Sequence, residues 1–222
     1  MKRLYLILSL LILFQFNQLF SQFTPGQLIN EVNTLATRKA ANSLSYSDIE
    51  GTPYYTNEFI KSTVYLKNGN YASAPLRYDL YRDEMEFKLD NQVFWLTKKD
   101  IKLIRYGNEM VFTAPSISDT SKLGYFFIND LGKNKLFCKK GVTFLPFIPP
   151  KGYAATVPNR FERNKDEFYI VLEGSRVQKI KNNRDLTTIF AGHKAALDFI
   201  KKERIKADRF EDLQKLVNYI NN

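Results

Sequence analysis

The chain has almost no cysteine or histidine: one Cys (Cys138) and one His (His193) in 222 residues. That scarcity excludes a disulfide framework, a Cys/His zinc centre, an iron–sulfur cluster and, in practice, a Cys–His nucleophilic pair. Glycine and proline are also sparse, with 10 and 8 residues, so collagen-like and low-complexity classes drop out. Glycine-rich phosphate loops of the G-x-G-x-x-G and G-x-x-x-x-G-K-[ST] types are missing, as are H-E-x-x-H and G-x-S-x-G. No catalytic residue, metal-ligand set or cofactor is therefore assigned.

Long hydrophobic runs are lacking too, apart from one at the start. Met1-Lys2-Arg3 forms a short positive segment, and every residue from Leu4 to Leu13 except Ser9 is apolar or aromatic. Gln15, Asn17 and Gln18 then dilute the run before Ser21. This order predicts a secretory signal peptide over 1–21, with cleavage after Ser21. The run is shorter than the ~20 residues of a spanning helix, which disfavours an uncleaved anchor. No cysteine stands near the cut, so lipid attachment is not expected. The peptide carries Lys2, Arg3 and no acid, so its removal takes the net charge from +10 to +8. The expected location is periplasmic or secreted, with no transmembrane helix in the mature chain. A protein exported with one cysteine must rely on its core alone. Cys138, inside Leu136-Phe137-Cys138, is expected to serve as a small buried hydrophobe.

What is present can build such a core: 44% of residues are hydrophobic and 25% charged. After an expected N-terminal helix and linker over 22–50, with Leu28, Val32, Leu35 and Ala36 as the helix stripe, β-rich runs and turn residues alternate across 51–181. Asn68-Gly69-Asn70, Asp90-Asn91-Gln92, Gly107-Asn108, Leu131 to Asn134 and Glu173-Gly174-Ser175 each separate two such runs. Leu76, Tyr78 and Leu80 alternate with Arg77 and Asp79, which predicts one buried and one wetted face. Phe94 to Leu96 and Tyr125 to Ile128 are apolar at every position, so burial on both faces is expected. The predicted class is mainly β with C-terminal helices (α+β): an antiparallel meander of about ten strands forming a sandwich or partly open barrel. An outer-membrane barrel fits poorly, because the runs are short and carry Lys, Glu and Arg throughout.

Half of the prolines fall in 146–164, which reads as a long loop carrying Tyr153 and Phe161. From 182 onwards the period changes to that of helices. Asp185 is expected to cap one, another follows His193, and Asp208 with Glu211 has the spacing of a capping box. Phe210, Leu213, Leu216, Val217 and Ile220 form an apolar stripe over 210–220.

The charge comes as small lysine clusters: Lys98-Lys99, Lys133 with Lys135, Lys139-Lys140 and Lys201-Lys202. They suit an anionic partner, and export disfavours nucleic acid. Asp83, Glu84 and Glu86 crowd together, and solvated cross-strand pairing with Arg82 and Lys88 is the simpler expectation than catalysis.

Four blocks carry a family resemblance. They are Gly51-Thr52-Pro53-Tyr54-Tyr55 through Gly69; Pro75-Leu76-Arg77-Tyr78 through Phe87; Pro158-Asn159-Arg160-Phe161 through Tyr169; and Asp185-Leu186 through Tyr219. Over roughly 50–222 the chain resembles a family of small exported β-rich proteins common in the Bacteroidota. The resemblance implies export and this architecture, and no activity. The expected function is non-enzymatic: an envelope protein that binds an envelope protein, a lipid or an anionic glycan through Trp95, Tyr125, Tyr153, Arg160 and Phe161. The alternatives are a lipocalin-like carrier of an apolar ligand and a carboxylate-dependent hydrolase of glycan or peptide.

Overall fold

A computed structural model describes residues 46–89, 92–116, 121–128, 132–149 and 156–222. The expected signal peptide and the Leu28–Ser43 helix lie outside the described residues, as does Tyr153. Among the described residues there are twelve strands: β1 (Ile60–Leu66), β2 (Tyr71–Asp79), β3 (Glu84–Leu89), β4 (Gln92–Trp95), β5 (Ile101–Tyr106), β6 (Glu109–Pro115), β7 (Leu123–Ile128), β8 (Lys135–Lys139), β9 (Val142–Leu145), β10 (Arg160–Arg163), β11 (Glu167–Val171) and β12 (Gln178–Ile180). Three helices follow: α1 (Asn183–Ile189), α2 (Lys194–Lys202) and α3 (Phe210–Asn221). The molecule is mainly β with C-terminal helices, as the sequence pattern predicts. Among the described residues no helix is long and apolar enough to cross a membrane.

Ten strands form one sheet in the order β12-β11-β8-β7-β6-β5-β1-β2-β3-β4, and every pairing in it is antiparallel. The five turn-separated hairpins of the sequence are all present. Gly107, at the β5–β6 turn, has φ +60, a conformation that costs a side-chain-bearing residue energy. Two four-strand meanders, β1–β4 and β5–β8, are joined through β1 and β5. That junction carries a register shift: Tyr65 faces Leu103 while Leu66 faces Ile101. The irregularity lets Ile101 and Ile104, three residues apart, both be buried, which strict alternation forbids.

The sheet does not close, but it curls strongly. β2 and β7 are four positions apart in strand order, so a flat sheet would separate them by about 19 Å at ~4.8 Å per strand. Instead the Tyr78 and Tyr125 rings meet edge-to-face with centroids 5.7 Å apart, and Tyr78 lies 6.1 Å from Phe127. Leu76, Tyr78, Met85, Ile104, Val111, Tyr125 and Leu136 are almost completely buried. Tyr125 to Ile128 are all buried, as their unbroken apolar run predicts, whereas Phe94 and Trp95 are only half-buried.

The helices cover one side of the β8–β11–β12 end. Phe168 of β11 stacks on Phe210 of α3 at 6.0 Å, and Phe199 of α2 stacks on Tyr219 of α3 at 4.1 Å. Asn134, in the β7–β8 turn, accepts and donates hydrogen bonds with Asn221 and so ties down the end of α3.

Several local expectations are corrected. Asn182, not Asp185, caps α1: its side chain accepts from the backbone N–H groups of Arg184 and Asp185, while Asp185 accepts from Lys181 N–H. No capping box forms at Asp208, because Asp212 instead accepts from the Lys206 N–H and the chain enters α3 through Arg209. The Pro-rich loop ends in a strand, since Arg160–Arg163 pairs with Val142–Leu145. Asp79 does not face water; it is fully buried.

Candidate functional site

The β2–β3 turn builds the site. Asp79 accepts from the Arg82 backbone N–H at 2.9 Å and from the Tyr46 hydroxyl at 3.0 Å, which holds the turn shut. Burial raises the Asp79 carboxyl above its ordinary value, and these two donors only partly offset that. Asp83 then adopts φ +58, a left-handed conformation that Asp tolerates better than most residues. This aims its carboxylate across the curl toward β7 and β8.

There Asp83 becomes a hub. It accepts from the Tyr78 hydroxyl and from Lys139 Nζ at 2.6 Å, with Lys98 Nζ 3.8 Å from its other oxygen. Lys139 also donates to the Tyr125 carbonyl at 2.9 Å. Burial lowers the Lys139 pKa, and the Asp83 charge opposes that shift. Lys98 reaches Glu84 at 3.3 Å and lies 5.1 Å from the Tyr125 ring centroid. Gly124 makes the approach possible: a Cβ there would sit 3.1 Å from Asp83 Oδ2 and 3.4 Å from Lys139 Nζ. Burial holds the Tyr78 and Tyr125 hydroxyls far above the usual tyrosine range. The buried Tyr125 hydroxyl has no hydrogen-bond partner among the described residues.

Three concavities meet at Ser116 beside this hub. The first is a cleft of about 580 Å³ lined by Arg82, Asp83, Glu84, Trp95, Lys98 and Lys99, with Lys122 at its rim. The second is an apolar groove of about 360 Å³. The third is a cleft of about 470 Å³ carrying Lys139, Lys140, Lys165 and Lys179, with Glu167 as its one lining acid. Together the two clefts set seven lysines and Arg82 against Asp83, Glu84 and Glu167. A concave wall with an excess of one charge focuses field and attracts the opposite charge.

Trp95 lines the first cleft, and Glu86 holds it through a 3.4 Å hydrogen bond from the indole N–H. Its ring also meets the Arg82 guanidinium, which lies 5.4 Å from Trp95 and 5.3 Å from Tyr46. Glu86 pairs with Arg77 at 2.7 Å, and Arg77 lies 3.7 Å from the Tyr54 ring centroid. The carboxylate cluster is thus paired, but with Arg77, Lys98 and Lys139 in place of the expected Arg82 and Lys88, which lie over aromatic rings, and its Glu86 is buried, not solvated.

Tyr125 is fully buried and does not line the first cleft, although Lys98 of that cleft lies over its ring. Arg160 and Phe161 are placed elsewhere, on β10. Phe161 is buried among Tyr46, Tyr81 and Phe144, with ring centroids 5.2 to 5.8 Å away. Arg160 is half-buried and lies 3.7 Å from Glu162. Trp95 therefore lines the first cleft and Tyr125 lies beneath Lys98 of that cleft, whereas Phe161 belongs to an aromatic knot linked to Trp95 through Tyr46 and Arg82. The sequence reading missed Asp83, Lys98, Lys139 and Gly124 as a unit. Lys98 and Lys139 already stand in lysine doublets, but nothing in the pattern joins them to Asp83.

Cys138 is buried, and burial pushes its thiol up to about 12. His193 stands at the N-cap of α2 with its ring 6.2 Å from Phe190. Among the described residues no group of His, Cys, Asp and Glu is arranged to hold a metal ion. No family model, curated protein or solved structure matches this chain.

Proposed function

We propose that this is a non-enzymatic, exported envelope protein of the Bacteroidota type that captures an anionic partner in the basic concave face of its β domain. One observation carries the reading: the curl gathers cations from β8, β12 and the segments leading into β3, β5, β7, β9 and β11 into two clefts joined at Ser116. The acids there support binding over acid–base chemistry, since Asp83 and Glu84 are each engaged by lysine. An anion offered to the face meets Lys99, which among the described residues has no ion-pair partner, before those engaged side chains. The stretch 1–21 supplies the export half of the reading.

The test compares two charge reversals of equal net charge. Lys99→Glu alters the first cleft, whereas Lys215→Glu alters the exposed side of α3. On a dextran-sulfate column, Lys99→Glu should elute at clearly lower salt than Lys215→Glu. Equal elution would reduce the interaction to net charge and remove the assigned site.

A further inference from the structure

The apolar groove is what the lysine clefts alone do not explain. It is lined by Phe126, Phe137, Tyr169, Val171 and Val177 among others, and no lining side chain is charged. It lies on the sheet face opposite the helices, because Tyr169 alternates with Phe168, which packs on α3. Val177 at its edge is 57% exposed.

Its floor continues beneath the third cleft. Phe126 and Tyr169 line both concavities. A lysine stands over each ring: Lys139 Nζ is 5.2 Å from the Phe126 centroid and Lys179 Nζ 5.4 Å from that of Tyr169. Lys165, at the same end, has no ion-pair partner among the described residues. The groove is thus apolar along its length and bordered by lysines at one end, Lys139 and Lys179 paired with Asp83 and Glu167.

We propose that the groove and the third cleft together bind one molecule of an anionic acyl lipid, with its chain along Phe126, Phe137 and Val171 and its headgroup beside Lys165 and Lys179. This rests on the reading of the concave face as an anion site and names the chemical class of its ligand. Charge complementarity selects the class: Lys139, Lys140 and Lys179 are held by Asp83, Asp166 and Glu167, which leaves Lys165 as the cation that an uncharged hydrocarbon would not meet, and a simple anion would leave the groove unfilled. Size sets the chain. A methylene is about as large as a liquid water's ~30 Å³ share, so the groove of about 360 Å³ accommodates roughly twelve carbons. A membrane surface fits less well, because the apolar residues line a recess instead of protruding.

Isothermal titration of residues 22–222 with acetate, octanoate, decanoate, laurate and myristate at constant ionic strength tests this. Affinity should rise with chain length by up to about fourfold per methylene, then level off at roughly twelve carbons. Acetate should not bind measurably, and a nonionic dodecyl glycoside should bind at least tenfold more weakly than laurate. Val177→Asp and Lys179→Glu should each weaken laurate at least tenfold with the far-ultraviolet circular dichroism unchanged, while Lys215→Glu should leave it as it is. Affinity independent of chain length, equal binding of the nonionic chain, or laurate binding untouched by both groove variants would each overturn the proposal. If dextran sulfate still binds in a Lys99-dependent way while fatty acids do not, the lipid assignment falls and the anion site stands. If neither binds, both fall.

Discussion

Asp79 shows how far one side chain departs from its sequence neighbourhood. It follows Tyr78 in an alternating strand and would face water if the alternation ran to the end. The turn folds over it instead, because its carboxylate satisfies the Arg82 N–H and the Tyr46 hydroxyl. Burial raises its pKa, so the folded state holds this proton more tightly than the unfolded chain. The contribution to stability is therefore greatest below the unfolded value, and falls as pH rises from 3.8 to the raised folded value. Asp79→Asn should remove that fall. The variant's melting temperature relative to the parent should be higher at pH 7 than at pH 3.5, and a constant difference would contradict the assignment. Gly124 makes the complementary case, through the lack of a side chain. A valine there would press on the Asp83–Lys139 pair, and Gly124→Val should cost about 1–3 kcal/mol in urea unfolding. A neutral result would mean that Asp83 can leave Lys139 freely.

The hairpins were readable from the sequence because each depends on local chemistry: a Gly or Asn turn between β-branched or aromatic runs. Helix caps were less readable, since several residues compete for the same N–H groups. Around α1 both Asn182 and Asp185 are able caps. The chain uses Asn182 for the N–H groups inside the helix and Asp185 for the one before it. Asn182→Ala should therefore cost about 0.5–2 kcal/mol, whereas Asp208→Ala should be nearly neutral because Asp208 caps nothing in α3. Thermal unfolding of the two variants checks both. The strand Arg160–Arg163 escaped the sequence reading for a related reason. The prolines preceding it suggest a loop, but its partner Val142–Leu145 lies just before them in the chain, so the prolines sit within the connection and not within the pairing.

For the molecule as a whole, the decisive feature is the curl, and no local pattern announces it. Alternation specifies which residues face inward. It does not say that β2 and β7, four positions apart in the sheet, will meet through Tyr78 and Tyr125. The site depends on that meeting. Trp95 and Tyr125 could be singled out as large aromatics in strands, and the lysine doublets as cationic clusters. Their convergence around Asp83 depends on a left-handed turn residue, a glycine without a side chain and a bent sheet acting together.

Trp95 is the single tryptophan of the chain and lines the first cleft, so its emission reports on that cleft alone. The most direct measurement is a fluorescence titration of residues 22–222 with dextran sulfate, at low and at high sodium chloride, with neutral dextran as comparator. Binding in the concave face predicts a saturable change in Trp95 emission that weakens steeply with salt and is not produced by neutral dextran. Dextran sulfate that binds by calorimetry yet leaves Trp95 emission unchanged would place the anion elsewhere and contradict the assignment.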